Sequence, residues 1–149
     1  IHMGMLSENL DNHNAVSYYN SAIEIEPNNI EGYRNKGLFY HFRSEYINAR
    51  KSFKKIINID SNFEETYFNI GNTYLGQYDQ INNNDFLDSA FFYFKKANDL
   101  NQYYVQAIHN IGLCYEIKKD FEMAKSYYKK AIEIDNNYNP SLNALNSLY

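Results

Sequence analysis

This chain of 149 residues has one cysteine, two prolines and no tryptophan. A single thiol, Cys114, cannot close an intramolecular disulfide, so the disulfide-stapled secreted class is excluded and a reducing compartment is expected. No apolar run approaches the ~20 residues that a membrane span requires. No signal segment is recognisable either, since Ile1, His2 and Met3 read as a cloning remnant. A cytoplasmic location is the expectation that follows. Charge of one sign is also scarce. The formal net charge is −4, without the concentrated basic excess of proteins that bind phosphate backbones, so neither nucleic acid nor membrane is expected as a partner.

Catalytic signals are missing as well. His13, His41 and His109 lack metal-ligand spacing, and Cys114 sits among core residues without a histidine partner. The stretch 71–77 lacks the Lys-Ser/Thr of a phosphate loop. The chain therefore does not read as an enzyme, and neither metal nor cofactor is expected.

What the chain does have is self-similarity. Gly37, Gly71 and Gly112 are spaced 34 and 41 apart, as are Tyr40, Tyr74 and Tyr115. Ala49, Ala90 and Ala124 keep that spacing, with Ala15 a further 34 upstream, and Tyr19, Phe53, Phe94 and Tyr128 repeat it again. A period of this size predicts an all-α solenoid of antiparallel helix pairs, because one pair cannot bury its apolar face without a neighbour. Aromatics, at 17%, supply core material together with Ile and Leu.

The repeats divide a single domain into segments. Residues 5–29 read as a shortened first repeat, with only Met5, Leu6 and Leu10 before the helix that carries Val16, Tyr19, Ala22 and Ile23. Residues 30–63 form a full copy: a helix over 30–42, a turn at Arg43 and Ser44, and a helix over 45–59. Residues 64–104 form a third copy with a seven-residue insertion near 77–85. There Tyr78 and Ile81 suit a short extension of the first helix, and Asn82, Asn83, Asn84 and Asp85 suit a loop capping the second. Residues 105–138 are regular again. In 139–149, Pro140 opens a terminal capping helix with Leu142, Leu145 and Leu148 along one side.

The residues just quoted resemble the tetratricopeptide repeat, whose 34-residue pattern runs aromatic, Leu-Gly, Tyr, Ala, aromatic, Ala, Pro. The pattern is met by Tyr33, Gly37, Tyr40, Ala49 and Phe53; by Tyr67, Ile70, Gly71, Tyr74, Ala90, Phe94 and Ala97; and by Ile111, Gly112, Tyr115, Ala124, Tyr128 and Ala131. Lys36 in place of Leu, Ile56 in place of Ala and Ile108 in place of an aromatic are the departures, and only the first copy keeps its proline, Pro27. Lys36 suggests a stem that snorkels its charge out of an apolar setting. The pentatricopeptide alternative would require a basic chain, which the charge disfavours.

The resemblance implies a right-handed solenoid and a protein-interaction scaffold whose first helices line a concave groove for a peptide or partner helix. By position the groove would contain Arg34, Asn35, Leu38, Phe68, Asn69, Asn72, Gln106, His109, Asn110 and Leu113, with Glu31, Glu65, Phe42, Leu75 and Ile117 alongside. Asn35, Asn69 and Asn110 occupy equivalent positions and could form a ladder of amides against an extended backbone. The competing reading is ordinary family usage in an Asn-rich chain. For Phe42 and Ile117, near helix ends, packing against neighbouring helices is the favoured reading. Relatives that clamp acidic chaperone tails use basic residues where this chain has Glu65, Phe68 and Gln106, so that ligand is not expected. The pairs Lys54 and Lys55, Lys95 and Lys96, and Lys129 and Lys130 recur near helix C-termini, where they offset the dipole as a solvated face. Two other readings remain: a regulatory or targeting segment of a larger enzyme or secretion component, and a weakly self-associating module covering apolar surface on the helix over 16–25.

Overall fold

The computed structural model describes residues 12–149, which form eight α-helices and no strand. In chain order these are α1 (Asn12–Ile25), α2 (Ile30–Phe42), α3 (Tyr46–Ile59), α4 (Glu64–Ile81), α5 (Asn84–Leu100), α6 (Val105–Ile117), α7 (Phe121–Ile134) and α8 (Asn139–Ser147). Each helix contacts the next, and α2 also touches α4, so pairs stack in the order of the chain. The expectations for Met5, Leu6 and Leu10, and for the shortening of the first repeat, lie outside the described residues.

Short polar residues set the helix boundaries. Asn29 caps α2 by accepting from the Gly32 amide at 2.6 Å, and Asp120 caps α7 by accepting from Met123 at 3.2 Å. After the second helix of each pair, Asp60, Asn101 and Asp135 each accept from the backbone N–H two residues on, at 2.9 to 3.0 Å. These Asx turns do the stopping that Pro27 does only once. Between the two helices of a pair, Ser44 and Lys119 hold equivalent left-handed positions at φ 61° and 63°.

Packing turns on a glycine opposite an aromatic ring. The rings of Phe53, Phe94 and Tyr128, all fully buried, lie on Gly37, Gly71 and Gly112 respectively. A Cβ on Gly71 would sit 2.6 Å from Phe94, and one on Gly112 would sit 2.7 Å from Tyr128. Each buried ring contributes roughly 1.5–3 kcal/mol of burial, and the missing Cβ lets the helices approach closely enough to achieve it. Cys114 is fully buried in the same layer, and desolvation pushes its thiol up to about 12, leaving it protonated and unreactive at neutral pH.

The insertion is almost entirely helical. At 18 residues, α4 is five longer than α2 or α6, and at 17, α5 is three longer than α3 or α7. The connection shrinks to Asn82 and Asn83, so the expected loop over 82–85 is not formed. Asn82 takes a left-handed C-cap at φ 54°, and Asn83 caps α5 by accepting from Asp85 at 2.9 Å. Arg50 of α3 ties the extension back to the preceding pair. Its guanidinium donates to Gln77 at 2.9 Å and to Thr73 at 3.3 Å while lying 4.2 Å over the Tyr74 ring.

Two further expectations change. Phe42 is 76% exposed instead of packed, whereas Ile117 does pack against the core. The lysine pairs lie short of the last turn of their helices, so the dipole has little hold on them. In α8, Leu142 and Leu145 are half-buried, as is Leu148 just past its end, and Ser141 is fully buried.

Candidate functional site

The first helices α2, α4, α6 and α8 meet through polar contacts with a common offset. Arg34 donates to both oxygens of Glu65, at 3.1 and 3.2 Å. Asn110 donates to Asn72 at 3.0 Å, and His109 Nδ1 lies 3.0 Å from Ser141 Oγ. In each case a residue on one first helix meets a residue two or three repeat positions earlier on the next. A continuous surface results, running across four helices.

On this surface the residues expected to line a groove fall into three groups. Gln106 is exposed, while Leu38, Asn72, Asn110 and Leu113 are half-buried and reachable. Asn35 and Asn69 are only 9% and 8% exposed. Asn35 donates within its own helix to Glu31 at 3.3 Å. A ligand would touch these two only at the floor, and Asn110 is engaged with Asn72, so the three amides do not stand as an open ladder. Phe68 belongs to the packing: its ring lies 5.8 Å from Phe94 and 5.1 Å from Tyr104.

Arg34 is not available as a lone anion receptor. Burial opposes its charge, but Glu65 and Glu31 outweigh that and raise its pKa, with Glu31 at 2.8 Å. Its charge is already matched from two sides. The Tyr104 hydroxyl is pushed well above the usual phenol range by burial and then by Glu65 and Glu64, so this end of the surface has an acidic character.

Sequence reasoning missed Ser141, which holds His109. A signal was present: Gly32, Thr66, Ala107 and Ser141 are spaced 34, 41 and 34 apart, all small and all buried. His109 itself is packed against Tyr128 and Tyr138, with ring centroids at 5.2 and 5.6 Å. Burial lowers the pKa of His109 and of His41, whose Nδ1 has no hydrogen-bond partner. On acidification through about 6.5, the unfolded chain takes up these protons before the folded one does, so stability should fall with falling pH. Thermal unfolding midpoints at about pH 7.5 and about pH 5.5 test this. The drop should be smaller in a His41→Gln chain, and an unchanged midpoint would contradict the assignment.

Among the described residues no group of three or more His, Cys, Asp or Glu is placed to hold a metal, and no helix is long and apolar enough to cross a membrane.

The tetratricopeptide repeat family model matches residues 2–29 and 105–138. Anaphase-promoting complex subunit 3 of Schizosaccharomyces pombe is 28% identical over 123 residues, covering 81% of this chain. The match takes in only 17% of that relative's length. Among solved structures, MamA superposes with a TM-score of 0.78 at 23% identity, over 98% of this chain and 82% of MamA. The first TPR of Spaghetti (RPAP3), solved with the HSP90 peptide SRMEEVD, superposes with a TM-score of 0.70 at 20% identity, over 80% of this chain and 89% of that one. These likenesses establish the fold as a right-handed α-solenoid of antiparallel helix pairs.

Proposed function

From a chain that belongs to the tetratricopeptide-repeat family, we propose a protein-interaction scaffold that holds a peptide or helix of a partner on the surface shared by α2, α4 and α6. The observation that carries this reading is the continuity of that surface. Reachable amides, Asn72, Gln106 and Asn110, alternate there with half-buried Leu38 and Leu113, and polar contacts fix one first helix against the next. RPAP3, a protein of the same fold, was solved with a peptide bound, which supports the class of ligand. Its peptide is acidic, whereas the only arginine on the present surface is taken by Glu31 and Glu65. The partner segment that fits here is neutral or basic.

Capture from the native cell extract tests the reading, with Leu113→Asp as the groove variant and Phe92→Asp as the control on an outer helix, where Phe92 is 62% exposed. A partner held by the wild-type chain and by Phe92→Asp should be weakened at least about tenfold by Leu113→Asp, since a carboxylate would be desolvated at the contact. Equal retention by both variants would remove the groove from the account.

A further inference from the structure

The three complete repeats are not filled alike. In the third, Tyr93 stacks on Tyr74 with centroids 5.5 Å apart and planes 16° apart; in the fourth, Tyr127 stacks on Tyr115 at 5.5 Å and 24°. Beside each pair lies a fully buried isoleucine, Ile70 or Ile111. At the equivalent positions of the second repeat the tyrosine is replaced by Ser52 and the isoleucine by Lys36, while Tyr40 keeps its place. A large ring thus gives way to a small serine and a buried isoleucine to a lysine that reaches toward α1, and a cavity of about 220 Å³ lies between α2 and α3, lined by Tyr33, Lys36, Tyr40, Asn48, Lys51, Ser52 and Lys55.

The lining carries three ammonium groups and no carboxylate. None of the three lysines lies within ion-pair distance of an acid among the described residues. Lys36 is held in place by donating to Asn20 of α1 at 2.7 Å. An ammonium group carries three donors, so two remain for a ligand. Lys51 and Lys55 stand one helical turn apart, a like-charge spacing that is unfavourable until an anion lies between them. Phenol and amide groups of Tyr33, Tyr40 and Asn48 complete a wall of hydrogen-bonding groups.

We propose that this cavity receives a phosphomonoester group, held by Lys36, Lys51 and Lys55. A dianion with three acceptor oxygens can engage the half-buried Lys36 together with the exposed Lys51 and Lys55 of the same lining better than a single carboxylate can. The same chemistry could be presented by a small phosphorylated molecule or by a phosphoserine of a partner protein. Because the cavity lies between α2 and α3, on the side where Lys36 reaches α1, it is independent of the proposed groove.

Amide chemical-shift titrations of the 149-residue chain with O-phospho-L-serine, a phosphoserine peptide, its unphosphorylated form and acetate would test this. Saturable shifts around Lys36 and Ser52 are expected with both phosphorylated probes, and weaker ones with acetate. Affinity should fall on the order of tenfold or more in Lys51→Ala/Lys55→Ala. It should be lost in Lys36→Ile/Ser52→Tyr, which fills the cavity with residues the other repeats already accommodate. A peptide that binds about tenfold or more tighter than the free amino acid identifies the source as a partner protein; equal binding identifies a small molecule. No saturable shift, equal response to acetate, or binding unchanged in both variants would overturn the proposal.

Discussion

Phe94→Ala should lower the unfolding free energy by about 3–5 kcal/mol, the usual cost of emptying a fully buried aromatic site. Total stability of a domain is of the order of 5–15 kcal/mol, so the chain would approach marginal stability. Phe94 is the ring that lies on Gly71 and beside Phe68, where α4, α5 and α6 share a core cluster. Gly71→Ala in the wild-type background should also destabilise, by about 1–3 kcal/mol, because its Cβ would stand 2.6 Å from a ring with nowhere to move. That strain exceeds the roughly 1 kcal/mol of helix propensity gained. With Phe94 already truncated, Gly71→Ala should become neutral or stabilising, since the new methyl enters vacated space. Chemical denaturation of the two single variants and the double variant measures the coupling. Additive losses would show that the glycine is not kept for the ring.

Lys36→Ile/Ser52→Tyr should stabilise the chain by about 2 kcal/mol. An isoleucine at position 36 would gain roughly 1.5–3 kcal/mol by being buried as Ile70 and Ile111 are. A tyrosine at position 52 stacked on Tyr40 would add about 0.5–1.5 kcal/mol, the worth of such a ring pair. Against this stand the lost Lys36 hydrogen bond to Asn20, about 1 kcal/mol, and the ordering of two side chains. The thermal midpoint should rise on the order of 5 °C for a domain of this length. A lower midpoint would mean that the second repeat has not kept the geometry of the third and fourth. The natural sequence forgoes this stability, as proteins do where a site is kept open for a ligand.

The two substitutions in that cavity show how much of the molecule is legible in its sequence. Lys36 was visible as a departure from the repeat pattern, and a snorkelling lysine was the reasonable inference from one position alone. Its partner Ser52 carried no signal, because a serine on a second helix is ordinary. Only the stacked Tyr74–Tyr93 and Tyr115–Tyr127 pairs in the neighbouring repeats reveal what Ser52 fails to fill. The surface across the first helices behaves similarly. Its residues could be read by position, but Arg34 as an ion-paired link, Asn35 and Asn69 as floor, and Phe68 as packing depend on the neighbouring helix. In the insertion, the Asn82 to Asn84 run read as a loop because Asn favours turns; α5 claims Asn84 because Asn83 alone suffices as its cap.

Residue order alone settles what is local or periodic: most helix positions, the solenoid class, and the recurrence of glycine, alanine and aromatic residues at one spacing. Such features depend on residues within one or two turns of each other, or on a spacing that recurs, and both can be read along a chain. Whatever depends on side chains from different repeats meeting was left to the folded stack. It neutralised Arg34, buried two of the amides, left Phe42 exposed, turned an insertion into longer helices braced by Arg50, and opened a lysine-lined cavity in one repeat of three. Free space and charge pairing belong to contacts between helices, and neither is recorded in the order of residues along any one of them.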